Sequence, residues 1–557
     1  MGTLAQAVDR CKILSAAAHS KSEVHCKPQA ETGARSLICR HQVESLHDAL
    51  GRRSGFFGGS LQPIGRRNGL QLQLQRSLKT VRAALAEATE AAAPTLAETP
   101  VVKKTGSVAL VALGCPKNTV DAEVMLGDLQ RQGYQITDDP DTADVVIVNT
   151  CAFIEDAKRE SIDAITEAGE LKGKSAKGVL VTGCLAQRYS KELASELPFV
   201  DAVVGFESYS QLGAQVERIL ATGTASTSTS SLEQNVLVGT PHVPFRVESE
   251  RRRITAQHTA YLRVAEGCDH TCTFCSIPGF RGKFRSKRFE AVVAEANLLA
   301  ASGAREICLI AEDTNQWGSD FGESDPRRLQ DLLHAIAENP RVKWIRLLYC
   351  YPSYFTEELI TAIASIDKVC KYIDIPLQHI SAAVLQRMQR PSKTHAEGLL
   401  RKLKERIPGL VLRTTFISGF PGETEGDHEE LMGAVKEFGF ERGGVFAYSR
   451  EDGTPAADLE KQVGRRTKDR RQCELQDMMR DRQMDWAGQQ IGRTLDVMID
   501  VMDGHVAVGR SQYDAPEIDN RVRIEGCLIP FTPGSVLQCR VVGAEDWDLI
   551  AEPIEVS

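Results

Sequence analysis

Three cysteines, Cys268, Cys272 and Cys275, stand in C-x3-C-x2-C spacing directly after the run YLRVAEG at residues 261–267. A run of this kind that ends in Gly reads as a strand feeding a loop. Structural zinc sites and ordinary electron-transfer clusters both take four protein ligands. Three thiolates on one short loop therefore predict a cluster with one metal position open to a ligand. A structural zinc loop is the alternative, although zinc pairs its cysteines as C-x2-C or C-x4-C. The surroundings follow the same pattern. Apolar runs at residues 307–311, 345–348, 372–375, 411–416 and 445–448 alternate with helical segments such as 290–301 and 429–437. With the run at 261 they make six β/α units, a partial (β/α)6 barrel. Cys268, Glu312, Gln378 and Gly419 then fall at strand C-terminal ends, where barrel active sites gather.

A second set of cysteines repeats the placement upstream. Residues 108–113 (VALVAL), 144–149 and 178–182 are apolar runs that end at Gly114-Cys115-Pro116, Thr150-Cys151 and Gly183-Cys184. Each is followed by a helix-like segment, so a parallel α/β sheet is expected, with Cys115, Cys151 and Cys184 converging at its carboxyl edge. Soft thiolates gathered this way suit an iron–sulfur cluster or zinc. The bland alternative is three buried cysteines acting as small apolar side chains.

The C-x3-C-x2-C loop resembles that of the radical S-adenosylmethionine (SAM) superfamily, and the likeness extends along the chain. LGCPKN at 113–118, VNTCAFIEDAKRESID at 148–163, TGCLAQRY at 182–189 and AEGCDHTCTFCSIPGFRGKFRS at 265–286 are similar to the methylthiotransferases of the RimO type. So are EDTNQWG from Glu312, PLQHIS from Pro376 and ISGFPGETE from Ile417. The resemblance implies two 4Fe–4S clusters: one on Cys268, Cys272 and Cys275 that cleaves SAM, and one on Cys115, Cys151 and Cys184 that takes part in sulfur delivery. It implies Phe274 against the adenine of SAM and Glu312 on its amino group. It also implies addition of a methylthio group to the β-carbon of an aspartate in small-subunit ribosomal protein S-twelve. SAM would serve twice, as methyl donor and as radical source. Partners implied are S-twelve or the small ribosomal subunit, an electron donor such as flavodoxin or ferredoxin, and a sulfur donor, with the enzyme a monomer. The tRNA-adenosine-modifying relatives, which act on isopentenyladenosine at C2, differ after the first cysteine and have a Gly-Gln-Asn-type stretch where this chain has Glu312-Asp313-Thr314-Asn315. That favours a protein acceptor. A non-catalytic metal scaffold would instead need fully ligated sites. The other cysteines of this part, Cys308, Cys350, Cys370, Cys473, Cys527 and Cys539, lack ligand spacing and read as core.

From about residue 489 the chain changes to five short β-type runs broken by Gly, Pro and Asp, which predicts a small OB-like β-barrel. It resembles the TRAM domain, generally an RNA binder. Residues 488–557 hold five Arg and no Lys against twelve Asp or Glu. RNA binding calls for a basic footprint. The acidic balance instead predicts docking of a basic protein, with Glu545, Asp546 and Asp548 as the contact set. Before this module, residues 465–484 read as a charged, exposed linker helix.

At the other end, residues 51–86 carry seven Arg or Lys and no acid, which reads as a transit peptide, with a disordered basic tail that binds something acidic as the alternative. Its Ser, Gly and Gln content favours the plastid, with the mitochondrion as alternative. Fifteen cysteines without an apolar secretory signal argue for a reducing compartment. No apolar run nears the roughly 18 residues of a membrane span. The net charge of −8 gives no general attraction to phosphates. The expected organisation of this multidomain α/β chain is a transit peptide and linker (1–105), an α/β domain (106–235), the partial barrel (250–486) and the TRAM-like barrel (488–557). A Ser/Thr-rich connector at 225–231 joins the first two folded parts.

Overall fold

The computed structural model describes residues 104–222, 235–243, 245, 251–527 and 530–554. The basic stretch at 51–86 and the connector at 225–231 lie outside them. No described helix is long and apolar enough to cross a membrane.

The N-terminal part is a parallel sheet of six strands, β1 (Ser107–Ala112), β2 (Gln135–Ile136), β3 (Val145–Thr150), β4 (Gly178–Gly183), β5 (Ala202–Val204) and β6 (Val236–Leu237), in the order β2-β1-β3-β4-β5-β6. Strands β3 and β4 are buried along their whole length. Their unbroken apolar runs suit a parallel sheet covered on both faces. The register sets Ala112 beside Asn149 and Thr150 beside Gly183, so the three central strands end together.

The middle part begins with β7 (Thr259–Arg263) and a short ribbon of β8 (Ala265–Glu266) with β9 (Arg285–Ser286). The run read as one strand over 261–267 is thus two pieces. Strands β10 (Glu306–Ile310), β11 (Trp344–Leu347), β12 (Val369–Asp374), β13 (Val411–Ser418) and β14 (Arg442–Ala447) complete a six-stranded parallel sheet, with β7 and β14 at its edges. Intervening helices pack Leu299, Leu332, Ile363, Leu400 and Leu431 onto its outer face. On the inner face Tyr261, Cys308, Leu348, Tyr372 and Val411, from β7 through β13 and its joins, share one cluster. Val120 and Val124 of the helix Pro116–Arg131, and Met498 and Ala515 of the C-terminal module, close that cluster.

The C-terminal module is a closed barrel of β15 (Thr494–Asp503), β16 (Val506–Ser511), β17 (Val522–Ile524), β18 (Val536–Glu545) and β19 (Asp548–Pro553), ordered β15-β16-β17-β19-β18. Much of its acidity faces inward. Asp514 pairs with Arg442 at 2.7 Å, Asp519 accepts from the Tyr372 hydroxyl at 2.6 Å, and Asp500 meets His258 Nε2 at 2.7 Å. These carboxylates fasten the module to the central sheet, which corrects the reading of the whole acidic balance as a docking face. Asp548 is likewise engaged, accepting from the Arg521 backbone N–H at 2.8 Å.

Two further expectations are corrected. The helix Arg465–Gln490 is no exposed linker: Leu475 and Met479 join the central core, and Arg471 pairs with Glu423 at 3.0 Å. Cys473, on the same helix, is exposed, because it lies off the face that Leu475 and Met479 bury. Cys308, Cys350, Cys370, Cys527 and Cys539 are buried.

Candidate active site

Each upstream cysteine follows a strand end. Cys115 precedes the helix Pro116–Arg131, Cys151 is one residue past β3, and Cys184 opens the short helix Cys184–Arg188. Glycines make the close approach possible. Gly114 has φ +90°, and a Cβ there would lie 2.8 Å from Cys151 Cβ and 3.0 Å from its Sγ. Gly183 has φ +92°, and a Cβ there would lie 2.5 Å from the Thr150 carbonyl oxygen. Asn118 ties the loops together, donating through Nδ2 to the Leu113 and Thr150 carbonyls at 3.0 and 2.9 Å. The three thiols are electrostatic neighbours of one another. Burial pushes the Cys184 thiol up to about 11, with Arg281 beside it pulling the other way.

The second group lies on the loop after β8. The Cys268 N–H donates to the Gly282 carbonyl and the Cys275 N–H to the Cys272 carbonyl, both at 3.1 Å. Thr273 pins the loop to residues 387 and 388 through its hydroxyl and its backbone N–H. Burial pushes the Cys268 and Cys275 thiols up to about 12. Arg390 Nη1 lies 3.6 Å from Cys272 Sγ and its guanidinium stacks on Tyr351, whose other neighbour is the His270 ring at 3.6 Å. His270 Nε2 meets Asp313 at 2.7 Å.

All six cysteines are free thiols. Among the described residues no group of three His, Cys, Asp or Glu side chains is spaced for a single metal ion. Two triads of neighbouring thiols fit iron–sulfur clusters as a donor set.

Between the triads stands a buried charged centre. Arg281 donates to Asn118 Oδ1 at 2.7 Å, Asp121 at 3.1 Å and Glu266 at 3.3 Å, and lies 3.7 Å from Cys184 Sγ. Its Nε is 3.7 Å from Glu312, whose side chain is 1% exposed and whose two oxygens have no hydrogen-bond partner among the described residues. Glu312 is also an electrostatic neighbour of Cys275, so the charged centre acts on both groups. Lys117, two residues after Cys115, lies with Nζ over the Tyr349 ring at 3.5 Å. Burial raises the Glu266 carboxyl to about 7 against the pull of Arg263. Phe274 is half-buried against Val384, Met388, Phe420, Tyr448 and Ala456. Gln378, expected at a strand end, lies four residues past β12 with a left-handed φ of +72°, and the N–H of Gly419, directly after β13, donates to Glu423 at 2.6 Å.

Arg281, Lys117, Asn118 and Arg390 carry much of this arrangement and had no assigned role from the sequence. The first three lie inside the motif stretches, a usable signal; Arg390 has none. A groove of about 530 Å³ on the outer face, between the helices Glu425–Phe438 and Arg465–Gln490, holds no cysteine and lies apart from this chemistry.

Comparison with known proteins agrees with three parts. Residues 107–205 match Uncharacterized protein family UPF0004, residues 262–435 the Radical SAM superfamily, and residues 491–554 the TRAM domain. Curated relatives named ribosomal protein uS12 methylthiotransferase RimO match nearly end to end. That of Desulforamulus reducens is 42% identical over 452 residues, covering 80% of this chain and 99% of the relative. That of Clostridium tetani is 42% identical over 79% of this chain and 96% of its own, and that of Desulforudis audaxviator 44% identical over 80% and 96%.

Proposed function

We propose, from the premise that this chain belongs to the RimO family of radical SAM methylthiotransferases, that it adds a methylthio group to the β-carbon of an aspartate in ribosomal protein S-twelve. The observation that carries the reading is the meeting of two cysteine triads, from two domains, around the single centre of Arg281, Glu312 and Lys117. Cys268, Cys272 and Cys275 hold one 4Fe–4S cluster and Cys115, Cys151 and Cys184 a second. When bound, these groups with SAM supply an adenosyl radical able to abstract hydrogen from an unactivated carbon, and a site from which sulfur is delivered.

The chain's own residues position that chemistry. Glu312, a buried carboxylate that accepts no hydrogen bond among the described residues, receives the amino group of SAM, and Phe274 lines the adenine side. Arg281 bridges the two loops and compensates thiolate charge at Cys184. His270 and Asp313 brace the Tyr351–Arg390 stack beside Cys272. An electron donor of flavodoxin or ferredoxin type and a sulfur donor complete the reaction, with the enzyme acting as a monomer. Residues 106–235, 250–486 and 488–557 form its folded domains. The segment 1–105 directs the chain to the plastid, with the mitochondrion as alternative; import of a fluorescent fusion of that segment into isolated organelles decides between them.

The reading is tested by anaerobic reconstitution and incubation with SAM, reductant and sulfide, offering either S-twelve or isopentenylated tRNA. Mass spectrometry should find a methylthio gain on one aspartate of S-twelve. A gain on tRNA adenosine alone would keep the chemistry and overturn the acceptor.

A further inference from the structure

Buried charges in proteins are paired, because an isolated ion out of water is costly. Around the candidate site nearly every cation obeys this. Arg281 has Asp121 and Glu266, Arg413 has Asp374 at 2.9 Å, and Arg442 has Asp514 at 2.7 Å. Lys117 is the exception. It is 6% exposed, its ammonium has only the Ala311 carbonyl at 3.5 Å and the face of the Tyr349 ring at 3.5 Å, and among the described residues it makes no ion pair. Its opposite number is Glu312, a buried carboxylate whose oxygens accept no hydrogen bond and whose one ion pair is the long contact to Arg281 Nε at 3.7 Å. The two are electrostatic neighbours without being in contact. An ammonium without an ion pair beside a carboxylate that accepts no hydrogen bond leaves each free to take a ligand group of opposite charge.

We infer that Lys117 binds the carboxylate of the acceptor aspartate and thereby sets the acceptor preference of the enzyme. The inference rests on the function proposed above. Position decides which ligand takes which wall. Lys117 is two residues from Cys115 and its ammonium is an electrostatic neighbour of that thiol, whereas Glu312 neighbours Cys275. The carbon that receives sulfur is bonded directly to the acceptor's carboxyl carbon. Holding that carboxylate on Lys117 therefore holds the reacting carbon beside the delivering triad. An adenine base carries no such charge and would leave the ammonium unpaired, a loss that discriminates against it.

The test measures equilibrium binding of S-twelve, and of S-twelve with the target aspartate replaced by asparagine, to the cluster-loaded enzyme without turnover. Wild type should prefer the aspartate form by about 30-fold, the equivalent of a modest buried charge pair. Lys117→Met should bind the two forms within about twofold of each other, and Lys117→Arg should restore part of the preference. A Lys117→Met enzyme that keeps the full preference overturns the inference, and so does a wild type that shows none. The latter comparison stands even if Lys117→Met fails to fold. SAM affinity should be the same in Lys117→Met as in wild type; a parallel loss would assign Lys117 to the carboxylate of SAM and also overturn the inference. Failure of wild type to bind S-twelve at all would reject the proposed function itself, whereas binding without discrimination rejects only the role of Lys117.

Discussion

Gly183 shows how single residues govern the site. Its left-handed φ is one that other residues adopt at a cost, and a Cβ would strike the Thr150 backbone, which a neighbour cannot yield. Gly183→Ala should lower unfolding free energy by about 1–3 kcal/mol in denaturant titration and reduce iron loading. His379 supplies a pH signature. It is buried, its Nδ1 accepts from the Ser381 N–H at 3.0 Å, and burial lowers its pKa to about 3. The folded state thus holds it neutral while the unfolded chain protonates near pH 6.5. Its contribution to stability is fully present above that value and is lost as pH falls from about 6.5 towards 3. The melting temperature of wild type should therefore fall more steeply between pH 7 and 5 than that of His379→Gln; parallel slopes would contradict the assignment.

At the scale of elements, the join between central sheet and C-terminal barrel depends on buried ion pairs rather than on apolar contact alone. Arg442 pairs with Asp514 and stacks on Trp486, and Arg510 reaches Glu306 at 2.7 Å, where Arg346 also binds. Removing one partner leaves a buried charge uncompensated, so Asp514→Ala should destabilise by about 3–5 kcal/mol in chemical unfolding. Glu545→Lys, on an exposed carboxylate, should change stability by less than about 0.5 kcal/mol. The contrast marks where sequence reading stops. Strands and cysteine loops were legible because apolar runs ending in Gly-Cys or Thr-Cys announce themselves locally. The destination of a carboxylate such as Asp514 was not, because its partner lies 72 residues away and neither residue carries a local signal. The same holds for Arg281, whose partner Asn118 is 163 residues distant. The helix Arg465–Gln490 misled for another reason: its few buried positions are diluted among charges, so its packed face is faint in the sequence.

Across the molecule, the N-terminal part is fastened to the middle part so that both triads lie beside one charged centre. Glu451 is one fastening of that assembly, pairing at once with Lys158 at 3.0 Å and Arg188 at 2.9 Å. Glu451→Gln weakens both pairs, so backbone amide exchange should rise over residues 151–189 while the barrel strands stay protected. Methylthio transfer should fall more than SAM cleavage, because only transfer needs both triads in register. The most direct test of two separately functioning triads is iron analysis combined with product analysis for Cys115→Ala/Cys151→Ala/Cys184→Ala. Loaded wild type should carry about eight irons per chain and the triple variant about four. The variant should still form 5′-deoxyadenosine from SAM while leaving S-twelve unmodified. A triple variant that keeps wild-type iron, or that still methylthiolates S-twelve, would contradict the account.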